Sequence, residues 1–239
     1  MLNKPAKRFY ETVRIEPSAG GFAVFLDDHT VNTPLGDALI LPTSDLARVI
    51  AGEWDAQGKK IIPDTMPMMR LACTSIDKVR PNRDVVIGQM TDYGGNDLLC
   101  YRAEGPDDLV ARQNERWNPL LTWAEITYGA LLRTTSGIVH IEQTKETMSA
   151  LRTATESHDE FELTALAEVT QLTGSLILGL AVSSGHIDWQ TAFDAAQLDE
   201  TWQNELWGED FEAANRKKYH KLDLENANLY FSLVRAVER

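Results

Sequence analysis

Carboxylates set beside tryptophan are the residues of this chain whose types and spacing could do chemistry. Across 198–210 the sequence reads Leu-Asp-Glu-Thr-Trp-Gln-Asn-Glu-Leu-Trp-Gly-Glu-Asp, so Asp199, Glu200, Glu205, Glu209 and Asp210 surround Trp202 and Trp207 with no basic residue among them. A smaller version stands upstream in Glu53-Trp54-Asp55-Ala56-Gln57. In a glycosidase cleft an apolar wall raises the pKa of one acid while the other stays ionised. Glu53 with Asp55, or Glu200 with Glu205, could supply such a pair if the fold set the carboxyls at the right separation, which the local spacing does not impose. The same residues suit binding without turnover, because tryptophan anchors interfaces and carboxylates screen partners by charge. They would also serve as the solvated faces of amphipathic helices.

Other chemistries lack their residues. Gly174-Ser175-Leu176-Ile177-Leu178-Gly179 has phosphate-loop glycine spacing, but Leu180 and Ala181 follow where a Lys and a metal-binding hydroxyl are required. It reads instead as a tightly packed helix. Neither Gly-x-Gly-x-x-Gly nor Gly-x-Ser-x-Gly occurs, which removes the commonest dinucleotide and serine-hydrolase readings. His158-Asp159-Glu160 is the densest ligand-type cluster, yet adjacent helical residues diverge, and Asp159 is expected to cap a helix. His29, His140, His186 and His220 stand alone as surface or loop histidines. No metal site and no cofactor is expected.

The elements that must position these residues fall into two parts. In the first sixty residues Phe9-Tyr10-Glu11-Thr12-Val13-Arg14-Ile15 alternates, and Phe22-Ala23-Val24-Phe25-Leu26 is compactly apolar. Asp27-Asp28-His29 predicts a turn into Val31-Asn32-Thr33 as a hairpin, and Leu39-Ile40-Leu41 a fourth short strand. Thr43 or Ser44 is expected to cap a helix in which Leu46, Ala47, Val49, Ile50 and Trp54 recur until Gly58. After Pro63 the period changes. Pro67 opens a helix whose stripe Met68, Leu71, Ala72, Ser75, Ile76 and Val79 runs to Pro81, and another helix extends from about Arg83 to Gly94-Gly95. Residues 97–101 fit a strand or a buried helix equally. A long helical tract begins at Pro106, is interrupted or kinked at Pro119 and ends near Leu132, and Ile138-Val139-His140-Ile141 predicts a brief strand. Residues 145–236 read as mostly helical, with breaks near Gly174, 183–185 and Gly208. The fold class is therefore α+β: a small antiparallel β-rich N-terminal domain with one packed helix over 1–62, then a larger, mainly α-helical domain over 63–239, with a boundary that could lie as late as 105. Within the acidic segment Ala195, Leu198, Trp202 and Leu206 form a stripe, which puts Trp202 in the core and Glu200 facing out. Trp207, beside Gly208, has no stripe to join.

Composition bounds the partners. The chain has 239 residues, 43% of them apolar, enough for a sizeable core. A net charge of −13 argues against nucleic acid, which needs clustered Lys and Arg, and favours a protein partner or a cationic ligand. Cys73 and Cys100 lie in apolar contexts, as buried thiols of a reducing compartment do. No signal peptide or membrane span is visible, so the expected state is soluble and cytoplasmic, without membrane insertion.

Nine motifs in register give a more specific lead. Arg8-Phe9-Tyr10, Val31-x-Thr33-Pro34, Glu53-Trp54-Asp55-x-Gln57, Met66-Pro67, Ile76-Asp77-x-Val79, Asp97-Leu98-Leu99-Cys100-Tyr101-Arg102, Gln113-x-x-x-Trp117-x-Pro119, Gly174-Ser175 and Asp199-Glu200-x-Trp202-Gln203-x-x-x-Trp207-Gly208-Glu209-Asp210 resemble, in order, the ATP-twelve family of ATP synthase assembly chaperones. The resemblance implies a non-enzymatic protein that holds the unassembled α subunit of the catalytic head before it joins β, in a bacterial cytoplasm or a mitochondrial matrix. An unassembled ring subunit exposes a self-complementary apolar interface, and covering it reversibly prevents aggregation. Carried onto this sequence, the family's C-terminal glutamate falls on Glu200, and client binding is expected at Glu200, Glu205, Trp207, Glu209 and Asp210. Trp54, Gln57 and Trp202 are expected to be structural, with Trp54 holding the two parts of the fold together.

Overall fold

Alternating side chains and a glycine turn build the N-terminal sheet. The structure, a computed structural model, describes residues 6–137, 139–208 and 211–236, the side chains of 211–214 excepted. Strands β1 (Val13–Ser18) and β2 (Gly21–Leu26) pair antiparallel, with Val13 opposite Leu26 and Ser18 opposite Gly21. Strands β3 (His29–Thr30) and β4 (Ile40–Leu41) share the other edge of β2. Leu41 comes so near Gly21 that a Cβ there would lie 2.1 Å from the Leu41 carbonyl oxygen, so only glycine fits. Two expectations are corrected. The first strand begins at Val13, because Arg8 and Tyr10 are used elsewhere, as described below. The hairpin returns at His29 rather than Val31, because Asp27 and Asp28 close a two-residue turn. Asp27 accepts the left-handed φ of +52° there, and its carboxylate takes the N–H of Thr12 at 2.8 Å and that of Glu11 at 3.1 Å.

Helix α1 (Ser44–Asp55) follows with the expected cap: Thr43 Oγ1 accepts from Leu46 N at 3.2 Å and donates to the Leu233 carbonyl at 2.6 Å. Helix α2 (Pro67–Thr74) starts on its proline but does not reach Pro81 in one pitch. It widens into a π-turn over Ser75–Val79, tightens over Arg80–Asn82 and continues as α3 (Arg83–Gly95). The change of pitch coincides with the buried Ser75 hydroxyl, which bonds the Leu71 carbonyl at 3.0 Å, Thr164 Oγ1 at 2.8 Å and the Tyr230 hydroxyl at 2.9 Å.

Residues 98–100 form a 3₁₀ turn leading to β5 (Tyr101–Arg102), which pairs in parallel with β6 (Thr135–Ser136). That pairing corrects the strand expected over 138–141: residues 139–141 are irregular, and Ile138 lies outside the described residues. Helix α4 (Asp107–Tyr128) runs unbroken through Pro119, again against expectation. Pro119 and Glu115, the residue whose carbonyl loses its partner, both face solvent, so water can take the missing bond. The helix stops at Gly129, whose φ of +73° lets its N–H return to the Glu125 carbonyl at 2.8 Å.

Helices α5 (Lys145–Glu156), α6 (Glu160–Thr173), α7 (Leu176–Ser183), α8 (Trp189–Ala196), α9 (Leu198–Trp207) and α10 (Phe211–Val234) complete an α+β fold, a small antiparallel sheet followed by a mostly helical remainder. Every residue of α7 is buried, and a Cβ on Gly179 would lie 2.6 Å from Thr170 Oγ1, so the glycine spacing there serves close packing. No described helix is long and apolar enough to cross a membrane.

The chain divides into two compact units. One takes in Met1–Arg83, Glu160–Thr164 and Leu229–Arg239; the other takes in Asp84–Asp159 and Ala165–Asn228. The buried set of the first includes Val24, Leu41, Leu46, Ile50, Ile76 and Tyr230. That of the second includes Ile87, Leu99, Trp117, Leu151, Leu178 and Phe193.

Candidate functional site

The upstream acid pair is taken up in structure. Glu53 lies half-buried on α1, and its two oxygens accept the N–H groups of Met68 and Met69, each at 2.8 Å, at the start of α2. The carboxylate thus caps a helix whose first turn carries unpaired donors and positive dipole. Burial raises its pKa, and the two N–H bonds oppose that rise. Asp55 is exposed and faces Arg8 at 3.5 Å. Arg8 also donates to the carbonyl of Asp55, the last residue of α1, at 3.0 Å and to that of Gln57, just beyond it, at 2.6 Å. Gln57 is buried; its Nε2 donates to the Glu53 carbonyl at 3.0 Å and Thr65 Oγ1 at 3.1 Å, while its Oε1 accepts from Ile62 N at 2.7 Å. Trp54 is half-buried within the first unit, its ring edge-on to Tyr10 at 5.7 Å, and the Tyr10 hydroxyl donates to the Trp54 carbonyl at 2.6 Å. The Arg-Phe-Tyr and Glu-Trp-x-x-Gln motifs therefore act together as a clamp on the C-terminal end of α1.

The acidic tryptophan segment is α9, and it is docked on α4 by a polar ladder. Gln113 is fully buried: its Oε1 accepts from Ala103 N at 2.8 Å and its Nε2 donates to Asp199 Oδ1 at 2.8 Å. Trp117, also fully buried, donates Nε1 to the Ala195 carbonyl at 2.9 Å. Trp202 is 8% exposed and donates Nε1 to Asp108 Oδ2 at 3.0 Å. This bond holds the Asp108 carboxyl below the usual carboxylate range. Arg102 lies over the Trp117 ring at 5.0 Å and donates Nη1 to the Gln113 carbonyl at 2.9 Å. The ladder turns Asp199 and Trp202 inward and fixes what α9 leaves outside.

What remains outside is a mixed acidic and aromatic edge. Trp207 is 76% exposed and Leu206 is 54% exposed, so the apolar stripe expected to include Leu206 ends at Trp202. Trp207 meets Trp202 edge-on at 6.2 Å, which holds the exposed ring against the buried one. Glu205 is exposed and paired with Arg112 of α4 at 2.7 Å. Glu200 is half-buried rather than projecting freely. Its helix neighbours Leu198 and Thr201 line a groove of about 730 Å³ against α4, whose far wall includes Arg112, Arg116 and Leu120. Glu209 and Asp210 lie outside the described residues. The four acids considered for paired catalysis are thus used separately: one caps a helix, two face basic side chains, and Glu200 makes no hydrogen bond or salt bridge among the described residues.

The remaining candidates are structural. His158 is buried, with Nε2 2.6 Å from Ser183 Oγ and Nδ1 3.1 Å from the Ala154 carbonyl. Among the described residues no three His, Cys, Asp or Glu side chains gather as metal ligands would. Burial pushes the thiol of Cys73 up to about 11 and that of Cys100 up to about 12, so both are protonated and unreactive at neutral pH. Asp97, fully buried, accepts from Leu99 N and from Ile177 N, each at 3.0 Å, and so ties the 98–100 turn to the start of α7.

One surface was passed over in the sequence. The first half of α10 carries Arg216, Lys217, Lys218 and Lys221, with no acid among residues 215–222. Four cations within six positions of a chain with an excess of acids is a signal that composition over the whole length conceals.

Residues 7–125 match the family model described as ATP12 chaperone protein. Atp12 from Paracoccus denitrificans superposes with a TM-score of 0.93 and 42% identity, over 96% of this chain and 99% of that one. The Atu1473 protein of Agrobacterium tumefaciens, a candidate chaperone, superposes with a TM-score of 0.91 and 36% identity, over 96% of this chain and 86% of that one. Among curated proteins, the mitochondrial atp12 protein of Schizosaccharomyces pombe is 24% identical over 84% of this chain and 74% of its own length.

Proposed function

The chain belongs to the ATP12 chaperone family, and from that premise we propose that it is a chaperone of ATP synthase assembly that binds the unassembled α subunit of the catalytic head and prevents its aggregation before the α/β ring forms. The likeness to Paracoccus Atp12, which runs over nearly the whole of both chains, carries this reading. The work is binding rather than catalysis. It takes place where the catalytic head is built, in a bacterial cytoplasm or a mitochondrial matrix.

The client-binding face is the outer edge of α9, with Glu200, Glu205 and Trp207, together with Glu209 and Asp210, which follow α9 in the sequence. An exposed tryptophan packed edge-on against Trp202 offers apolar area, and the acids beside it select a partner by charge. Such a mixed edge covers an apolar surface while leaving it displaceable by β, as a transient holder requires. The test is light scattering by isolated α subunit, without ATP, in the presence of this protein. Equimolar chaperone is expected to suppress aggregation; unchanged scattering would overturn the reading.

A further inference from the structure

Residues 215–222 of α10 read Asn-Arg-Lys-Lys-Tyr-His-Lys-Leu, two turns of helix with four cations and no carboxylate. Arg216, Lys218 and Lys221 are exposed and Lys217 is half-buried. None of the four forms a salt bridge among the described residues, and Lys221 has instead the ring of Trp189 at 5.8 Å. Tyr219 is 66% exposed and Leu222 is 52% exposed on the same two turns. A solvated helix face in an acidic protein ordinarily interleaves its charges, because unrelieved like charges repel at helical spacing. Here no acid separates the four cations within 215–222, and two exposed apolar side chains stand among them. That combination costs helix stability and leaves a cationic surface with an exposed aromatic ring open.

We propose that residues 215–222 of α10 dock an acidic segment of the client polypeptide, the carboxylates meeting Arg216, Lys217, Lys218 and Lys221 and an intervening apolar side chain meeting Tyr219 and Leu222. This rests on the chaperone reading and adds a second contact to the acidic edge of α9, so that one client is held by opposite charges at two places. The charge balance selects a short acidic segment over an extended polyanion. The whole chain carries −13 in spite of these cations, so the rest of it is more acidic still. A membrane surface or a nucleic acid would face that excess at every approach. A short segment is screened from it beyond a Debye length of about 8 Å and meets only the local cations. Two electrostatically opposite contacts also favour one orientation of the client, because turning it end to end would set like charges together.

The test compares the full chain with a Lys217→Glu, Lys218→Glu, Lys221→Glu variant and with the matching Lys→Gln variant, measuring the Kd for isolated α subunit across a salt series, with circular dichroism to confirm the helix. The glutamate variant is expected to bind about tenfold more weakly at low salt, with a flatter dependence of log Kd on log salt, and the glutamine variant to fall between it and the unaltered chain. If the unaltered chain binds α and both variants match its Kd and slope, the docking surface is overturned while the chaperone reading stands. If the unaltered chain does not bind α, both fall together. Binding of the unaltered chain to phosphatidylglycerol vesicles, or self-association, that disappears in the glutamate variant while α binding is untouched would also overturn it, assigning the surface to a membrane or to a second copy.

Discussion

Single side chains in this protein are placed by the satisfaction of buried polar groups, and Gln113 shows how much rests on one of them. It serves the Ala103 N–H, the Asp199 carboxylate and, through its carbonyl, the Arg102 guanidinium. Gln113→Ala would strand a buried donor and a carboxylate, and an unfolding titration should show a loss of about 2–4 kcal/mol. Asp97 carries a pH dependence. Burial pushes its pKa up to about 6, against the N–H bonds that lower it. An acid whose pKa is higher folded than unfolded holds its proton more tightly in the folded state. Its contribution is therefore full below pH 3.8, declines as pH rises to about 6 and is flat above, a span of roughly 3 kcal/mol. The stability of the native chain relative to Asp97→Asn should fall across that interval in urea titrations at stepped pH. A difference that stays level from pH 4 to 7 would rule the raised pKa out.

At the scale of elements, ends and joints decide more than interiors do. Helix α1 is fixed at its start by Thr43 and beyond its end by Arg8, Gln57 and the Tyr10 hydroxyl. Thr43→Ala would remove both the cap on Leu46 N and the bond to the Leu233 carbonyl, and thermal unfolding should report a cost of about 1–2 kcal/mol. Periodicity located nearly every helix but misplaced joints that depend on distant partners. Nothing local in Ser75 announces a π-turn, since its partners Thr164 and Tyr230 come from far along the chain. Pro119 signals a break by its chemistry, yet the break is avoided because that face of α4 meets water. The pairing of Tyr101–Arg102 with Thr135–Ser136 is likewise non-local, and no turn signal pointed to it.

For the whole molecule, the proposed client face and the contacts that dock α9 fall on different residues of the same short segment. Asp199 and Trp202 belong to the ladder on α4, whereas Glu200, Glu205 and Trp207 stand outside it. Glu200→Lys should therefore abolish protection of the α subunit in the scattering assay while shifting stability by under about 1 kcal/mol, since Glu200 makes no hydrogen bond or salt bridge among the described residues. A variant that melts early would instead make Glu200 part of the scaffold. Loss of protection with an intact fold would separate the client face from the ladder beneath it.

By itself the sequence determined the α+β class, most of the helices and the family, because hydrophobic period, turn chemistry and motifs in register are local properties that survive without a third dimension. It also put Trp202 inside, since a helical stripe is legible at its own spacing. Only the tertiary structure decided which acids are spent. Glu53 reads like Glu200 in sequence, but the start of α2 lies within reach of the first, while no described donor bonds the second. Leu206 continues the stripe at helical spacing yet is exposed, whereas Trp202 one turn before it is buried. The fate of a carboxylate depends on the donors that the rest of the chain brings within about 3 Å of it, and that distance is set by packing rather than by spacing along the chain.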